Sequence, residues 1–365
     1  MIGRERLLLL VAVAVSLLVG EFLVRLFLPP PGFFPFPQPD YGVLVRDSVR
    51  GYTYAPNIHR DIITQDSRYA FQTNELGMRD SAVERVLPRG PRILAIGDSY
   101  TQGLGVAAPD AWPKQLQALV PGSRVYNAGV SGYSLRQIRL AAEHFTPRVR
   151  PHLIVLGLYG HGYYRMTSPH VLLPGAASVI QEDQVGNVLI LKDGFLYPLF
   201  DHARARRIGF WIDRYWQLAG HTLHAIDKLA SERRNRGTNE RVSLDSAMAP
   251  MTQELSRLIR FADSSHVPMV VLFVNFQEAD GSYHRDQFAY NAILRRVTDE
   301  HHLCVIDPLP VFLAAAKGQP TFRFPHNQHW SPAAHALAAR LVWQSVSSPA
   351  QDCRASAAAL TKPKD

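Results

Sequence analysis

Cysteine is nearly absent: Cys304 and Cys353 are the only two in 365 residues. Two cysteines exclude a disulfide-built scaffold, are too few for a cysteine-rich zinc site, and allow at most one internal disulfide. Charge is sparse as well, at 19% of residues against 47% hydrophobic, which excludes a wholly disordered chain. Acidic residues are the scarcer sign, 31 against 39 basic, for a net charge of +8. A basic balance suits nucleic acid or an anionic membrane surface. No nucleic-acid-binding motif accompanies it, so no nucleic-acid partner is expected. Long apolar runs are lacking too, with one exception.

That exception is LLLLVAVAVSLLVGEFLVRLFL, residues 7–28. About 20 apolar residues cross a bilayer core. Glu21 and Arg25, four apart, can pair on a helix and reach for the interface. Arg4 and Arg6 favour a cytoplasmic N-terminus with everything after the run outside. A cleaved signal peptide is the alternative, but no A-x-A-like cleavage site follows residue 20. The expectation is a single-pass anchor at 1–28 in the inner membrane, with the rest on the periplasmic or extracellular side. Residues 29–40, PPPGFFPFPQPD, cannot be helical and open a stiff lead-in that runs to residue 70.

From residue 92 the pattern becomes regular. Apolar runs at Arg92–Gly97, Arg124–Asn127, Leu153–Tyr159, Pro268–Asn275 and Leu303–Asp307 are short and do not alternate. Buried parallel strands look like this. Helical stretches separate them: one opens at Asp110 with Pro113 just inside, one is lined by Met251, Leu255, Leu258 and Ala262, and one is capped by Ser331-Pro332. Alternation of this kind predicts an α/β fold, a three-layer flavodoxin-like parallel sheet preceded by one transmembrane helix. Ligands of such sheets bind beyond the carboxyl ends of the strands, so the loops there carry the chemistry.

Gly97-Asp98-Ser99-Tyr100-Thr101-Gln102-Gly103 follows the first strand and offers Ser99 as a nucleophile or as a plain helix cap. The glycines of Asn127-Ala128-Gly129-Val130-Ser131-Gly132-Tyr133-Ser134 let backbone amides approach a ligand, and His329 stands just before the last helix. GDSYTQG at 97–103, NAGVSGYS at 127–134 and HWSPAAH at 329–335 resemble blocks I, II and V of the SGNH/GDSL hydrolase family, in order and spacing. TNELGMRD at 73–80 is similar to a segment that often precedes the domain in membrane-anchored members. The resemblance covers about residues 70–345. It implies a nucleophile at Ser99, a base at His329, an oxyanion hole from the Ser99 and Gly129 amides, and no cofactor.

Two positions depart from that pattern. Block III normally brings G-x-N-D with an oxyanion-binding Asn, whereas this chain has Gly157-Leu158-Tyr159-Gly160-His161-Gly162. His161 and Asn275 are the candidate replacements. The acid that precedes the histidine by two or three residues is also missing, since Asn327 and His326 stand there. An amide can orient an imidazole but cannot stabilise an imidazolium, and Asp-to-Asn in a serine protease costs about 10⁴ in kcat. Asn327→Asp is therefore expected to raise turnover.

The implied layout is a hydrolase-like domain at 71–346, an insertion at about 165–247, and a disordered tail at 347–365. Within the insertion, Ile208, Trp211, Ile212, Tyr215 and Leu218 have helical spacing beside a basic edge. That stretch reads as a helix packed on the domain, a lid, or a lipid-facing surface. Three functions follow: hydrolysis of an acyl or acetyl ester of an envelope glycan or lipid, acyl transfer by the same Ser–His pair, or a non-catalytic envelope module.

Overall fold

The computed structural model describes residues 3–27, 43–63, 66–84, 88–167, 178–182, 188–192, 195–198, 216–222, 225–226, 243–278, 280–283, 285–318, 321–325 and 327–347, with 353, 356, 358 and 360. The chain divides into two units, one of residues 1–39 with 200–241 and one of the remainder.

In the first unit, α1 (Arg4–Phe27) is a helix with no buried residue, long and apolar enough to cross a membrane. Arg25 Nε donates to Glu21 at 2.7 Å, the pairing expected from their spacing. Glu21 also accepts from the Gln217 and Leu218 amides at 2.9 and 2.8 Å, at the start of a short helix at 217–222. First-turn amides lack partners within their own helix, and a carboxylate supplies one. The rest of the helix expected around 204–226 lies outside the described residues, apart from 225–226.

The second unit opens with two antiparallel hairpins, β1 (Leu44–Asp47) with β2 (Gly51–Tyr54) and β3 (His59–Ile63) with β4 (Arg68–Gln72). Next come β5 (Arg92–Ile96), α2 (Ser99–Gln102), α3 (Trp112–Leu119), β6 (Arg124–Asn127), α4 (Leu135–Val149), β7 (Leu153–Tyr159) and α5 (Tyr164–Thr167). A separate three-stranded antiparallel sheet is formed by β8 (Ser178–Glu182), β9 (Val188–Lys192) and β10 (Phe195–Pro198). The main alternation resumes with α6 (Leu244–Ser264), β11 (Met269–Val274), α7 (Arg285–Glu300), β12 (Cys304–Ile306), α8 (Leu309–Ala316) and α9 (Pro332–Ser347).

Strands β12-β11-β7-β5-β6 make one parallel five-stranded sheet, the flavodoxin-like order. Its direction of winding reverses between β5 and β7. Ile93, Ala95, Val125, Val155 and Val270 share a buried cluster with Trp112 and Leu116 of α3 and Ala338 and Val342 of α9. Both faces are covered, which is why these strands are apolar throughout rather than alternating.

Three expected boundaries can be set beside the structure. The hairpins at 44–72 lie in the same unit as the sheet, upstream of the expected domain start at 71. Tyr52 Oη donates to Ser131 O at 2.8 Å, Tyr133 Oη donates to Tyr52 O at 2.6 Å, and the Ser131 amide donates to Tyr54 Oη at 3.1 Å. The tail is not wholly disordered, since Cys353 forms a disulfide with Cys304 and Leu360 is buried. Finally, Arg165, at the expected insertion start, donates to Asp98 and to Tyr133 O.

Candidate active site

Block I runs from β5 into α2. Asp98 is the helix cap, its carboxylate accepting from the Tyr100 amide at 3.1 Å, and Ser99 is the first helical residue. Short helices at strand ends leave their first amides unpaired. The Ser99 amide has no hydrogen-bond partner among the described residues.

Block V is held from several sides. The Asn327 carbonyl oxygen accepts from the His329 amide at 2.8 Å, and the Phe324 amide donates to His329 O at 3.3 Å. Trp330, fully buried, donates its indole N–H to Asn275 O at 2.5 Å. The Tyr100 ring stacks on the imidazole with centroids 4.7 Å apart. These contacts bring His329 Nε2 to 2.7 Å from Ser99 Oγ, a pair 230 residues apart in the chain. Ser99 is 3% exposed and His329 6%.

Burial, and after it the Arg165 charge, hold the His329 pKa down at about 3. The imidazole is thus neutral at pH 7, with Nε2 able to accept from the serine when the proton sits on Nδ1.

The segment TNELGMRD supports blocks I and II. Arg79, fully buried, forks onto the Gln102, Gly103 and Val106 carbonyls at 2.8, 2.5 and 2.6 Å, at the end of α2. Asp80 accepts from Lys114, Arg124 and the Asn127 amide at 2.6, 2.9 and 3.1 Å. A cation serves the carbonyl end of α2, and an anion gathers the donors under block II.

Several expected assignments change. The Gly129 amide is not open to a ligand: it donates to Asn127 Oδ1 at 3.1 Å. Gly132, in the same loop, has a left-handed φ of 79°, and its amide has no partner among the described residues. The Asn275 side chain donates to Asp307 at 3.2 Å and accepts from Asn291 at 2.9 Å. The His161 side chain lies outside the described residues. So does His326. Asn327 does not orient the imidazole through its carbonyl oxygen, which the His329 main-chain amide occupies. Its amide nitrogen donates to Asp66 Oδ2 at 2.8 Å, so a carboxylate reaches this loop from the β3–β4 turn. Sequence reasoning missed Asp66, Gly132 and Arg165. Among the described residues no cluster of metal-ligating side chains is found.

The three blocks lie at the carboxyl edge of a flavodoxin-like parallel α/β sheet. No protein-family model matches the chain, and no curated protein matches it. Among solved structures it is similar to TesA, at 15% identity over 70% of this chain and 97% of that one, with a TM-score of 0.41. It is also similar to a lipolytic protein of the G-D-S-L family from Veillonella parvula, at 14% identity, 70% and 97% coverage and a TM-score of 0.38. An acetylxylan esterase from Geobacillus stearothermophilus matches at 14% identity, 72% and 95% coverage and a TM-score of 0.40. These are distant likenesses.

Proposed function

We propose that this chain is a serine-dependent ester hydrolase, held in the inner membrane by α1, that acts on an acyl or acetyl ester in the cell envelope. The observation that carries the proposal is the 2.7 Å approach of His329 Nε2 to Ser99 Oγ. The pair lies beyond the carboxyl end of β5, beside the reversal of the sheet, where this fold binds ligands.

In the reaction, His329 takes the serine proton as Ser99 Oγ attacks the ester carbonyl. The negative charge on the carbonyl oxygen is met by the Ser99 and Gly132 amides. Collapse expels the alcohol, which receives its proton from His329, and leaves an acyl-serine. Water, deprotonated by His329, then attacks the acyl carbon and releases the acid and free Ser99. The Cys304–Cys353 disulfide supports the outward orientation, because such bonds persist in oxidising compartments.

The test uses nitrophenyl acetate and a fluorophosphonate probe. Ser99→Ala and His329→Ala are each expected to abolish nearly all turnover, and not additively, because the pair acts as a unit. Folded Ser99→Ala with wild-type turnover would overturn the assignment. Absence of any Ser99-dependent reaction would favour a non-catalytic module.

A further inference from the structure

Block III lacks its side-chain amide, but the stretch that replaces it ends in a buried cation. Arg165, on α5 just past β7, is 8% exposed. Its Nη1 donates to Asp98 Oδ2 and to Tyr133 O, both at 2.8 Å. The guanidinium carbon lies over the Tyr159 ring, 5.5 Å from its centroid. Strands β5 and β7 flank the reversal of the sheet, so Ser99 and Arg165 stand on the two loops that border the ligand crevice.

The two acceptors are telling. Asp98 immediately precedes Ser99, and Tyr133 immediately follows Gly132. A single nitrogen therefore fastens block I to block II at the residues next to the two amides that meet the oxyanion.

We propose that Arg165 is the positioning residue that takes over from the missing block III amide, holding the Ser99 and Gly132 amides in register and fixing a positive charge beside them. The inference rests on the Ser–His reading above. An ester carbonyl is neutral in the ground state and an oxyanion in the tetrahedral intermediate, so a cation already fixed near it acts mainly on the transition state. Lysine would keep the charge but not the planar group that lies over the Tyr159 ring and fixes the donor's direction.

The same charge bears on the base. The Tyr100 ring of α2 stacks on the imidazole, His335 on α9 interacts with it electrostatically, Arg165 on α5 sets its charge against it, and Asp66 meets the same loop through Asn327. Besides burial, Arg165 is the charge that lowers the His329 pKa. Its removal makes the imidazole easier to protonate.

The experiment uses the full-length chain in detergent, with Arg165→Met, Arg165→Lys and the neutral pair Asp98→Asn with Arg165→Gln. For Arg165→Met we expect kcat on nitrophenyl acetate to fall about 10²- to 10³-fold, the loss typical of an oxyanion donor, with KM changed little. The acid limb of kcat/KM, which reports the base of the free enzyme, moves to higher pH. Arg165→Lys keeps that limb and loses part of kcat. The neutral pair leaves no lone buried charge, so it guards against a variant that fails to fold, and it is expected to show both the kcat loss and the shifted limb. A folded neutral pair with wild-type kcat and pH profile overturns the inference, because Arg165 would then serve only to balance Asp98. A wild type whose Ser99 does not react with the fluorophosphonate overturns the nucleophile assignment and this inference with it.

Discussion

Gly129→Ala should separate Ser99 from His329 without touching either. A Cβ at residue 129 would stand 2.3 Å from the Gln102 amide nitrogen, 2.7 Å from the Thr101 carbonyl carbon and 2.9 Å from the Gln102 Cα. Ordinary contact begins at 3.4 Å, so the loop and α2 must part by 3.4 − 2.3 = 1.1 Å. The atoms are backbone, and no side chain can swing aside. The loop is pinned by the Ala128 amide on Ala95 O at 2.9 Å and the Val130 amide on Gly97 O at 3.2 Å. The far end of α2 is pinned by the Arg79 fork. Part of the displacement must therefore appear at Ser99, whose bond to His329 is 2.7 Å. A shift of the full 1.1 Å along that line would carry the pair beyond hydrogen-bond range. We expect kcat on nitrophenyl acetate and the fluorophosphonate labelling rate to fall about 10²-fold, as misplacement by about 1 Å does. Overpacking should cost about 1–3 kcal/mol of stability in urea. Gly122→Ala is the control: φ there is 67° with nothing within 4 Å of the new Cβ, so it should cost stability and leave the rate alone. A folded Gly129→Ala that reacts within threefold of wild type would show that α2 does not depend on this contact.

Three further outcomes are expected. Asn327→Asp should lower kcat by about tenfold, the reverse of the expectation from sequence, because it sets a second carboxylate against Asp66 at 2.8 Å; adding Asp66→Asn should restore the rate, and a lone Asn327→Asp that gains activity would refute this. His329 and His335, both buried with pKa values lowered to about 3, bind fewer protons folded than unfolded between pH 3 and 6.5. Their contribution is complete above pH 6.5 and is lost as pH falls: together about 3 kcal/mol between pH 6.5 and 5, read as a drop in the urea midpoint, and an unchanged midpoint would contradict it. The Cys304–Cys353 bond closes a separation of 49 residues, so Cys353→Ser should cost about 4 kcal/mol in the chain-entropy model, a value that a calorimetric or urea comparison can refute.

The five strands of the main sheet were legible because a strand buried on both faces is an unbroken apolar run, as LIVLGLY at β7 shows. Ser99 and His329 were legible because a resemblance in three blocks gave them positions, and the structure sets them 2.7 Å apart. What stayed hidden depends on where individual hydrogen bonds go. Gly129 and Gly132 share one loop, and only the folded loop shows that the first spends its amide on Asn127. Spacing put Asn327 near the imidazole but said nothing of which atom its oxygen would meet. Arg165 could not be told from the insertion, because its partners Asp98 and Tyr133 are 67 and 32 residues away. The hairpins at 44–72 hid for another reason. GYTY is buried throughout although three of its four residues carry a hydroxyl, since its tyrosines reach acceptors and donors around block II.

Those hairpins leave any emerging chain with an unfinished half. Residues 44–80 are made before either loop they clasp, and Tyr52 waits 79 residues for its Ser131 acceptor. Two-stranded hairpins are at best marginal alone in water. The N-terminal clasp thus stays soft until β5 and β6 have appeared, and the loops at 97–103 and 127–134 cannot set before a segment upstream of the sheet has closed over them. A chain trimmed to begin at β5 would contain every block that names its chemistry and still lack the Arg79 fork that steadies the serine helix.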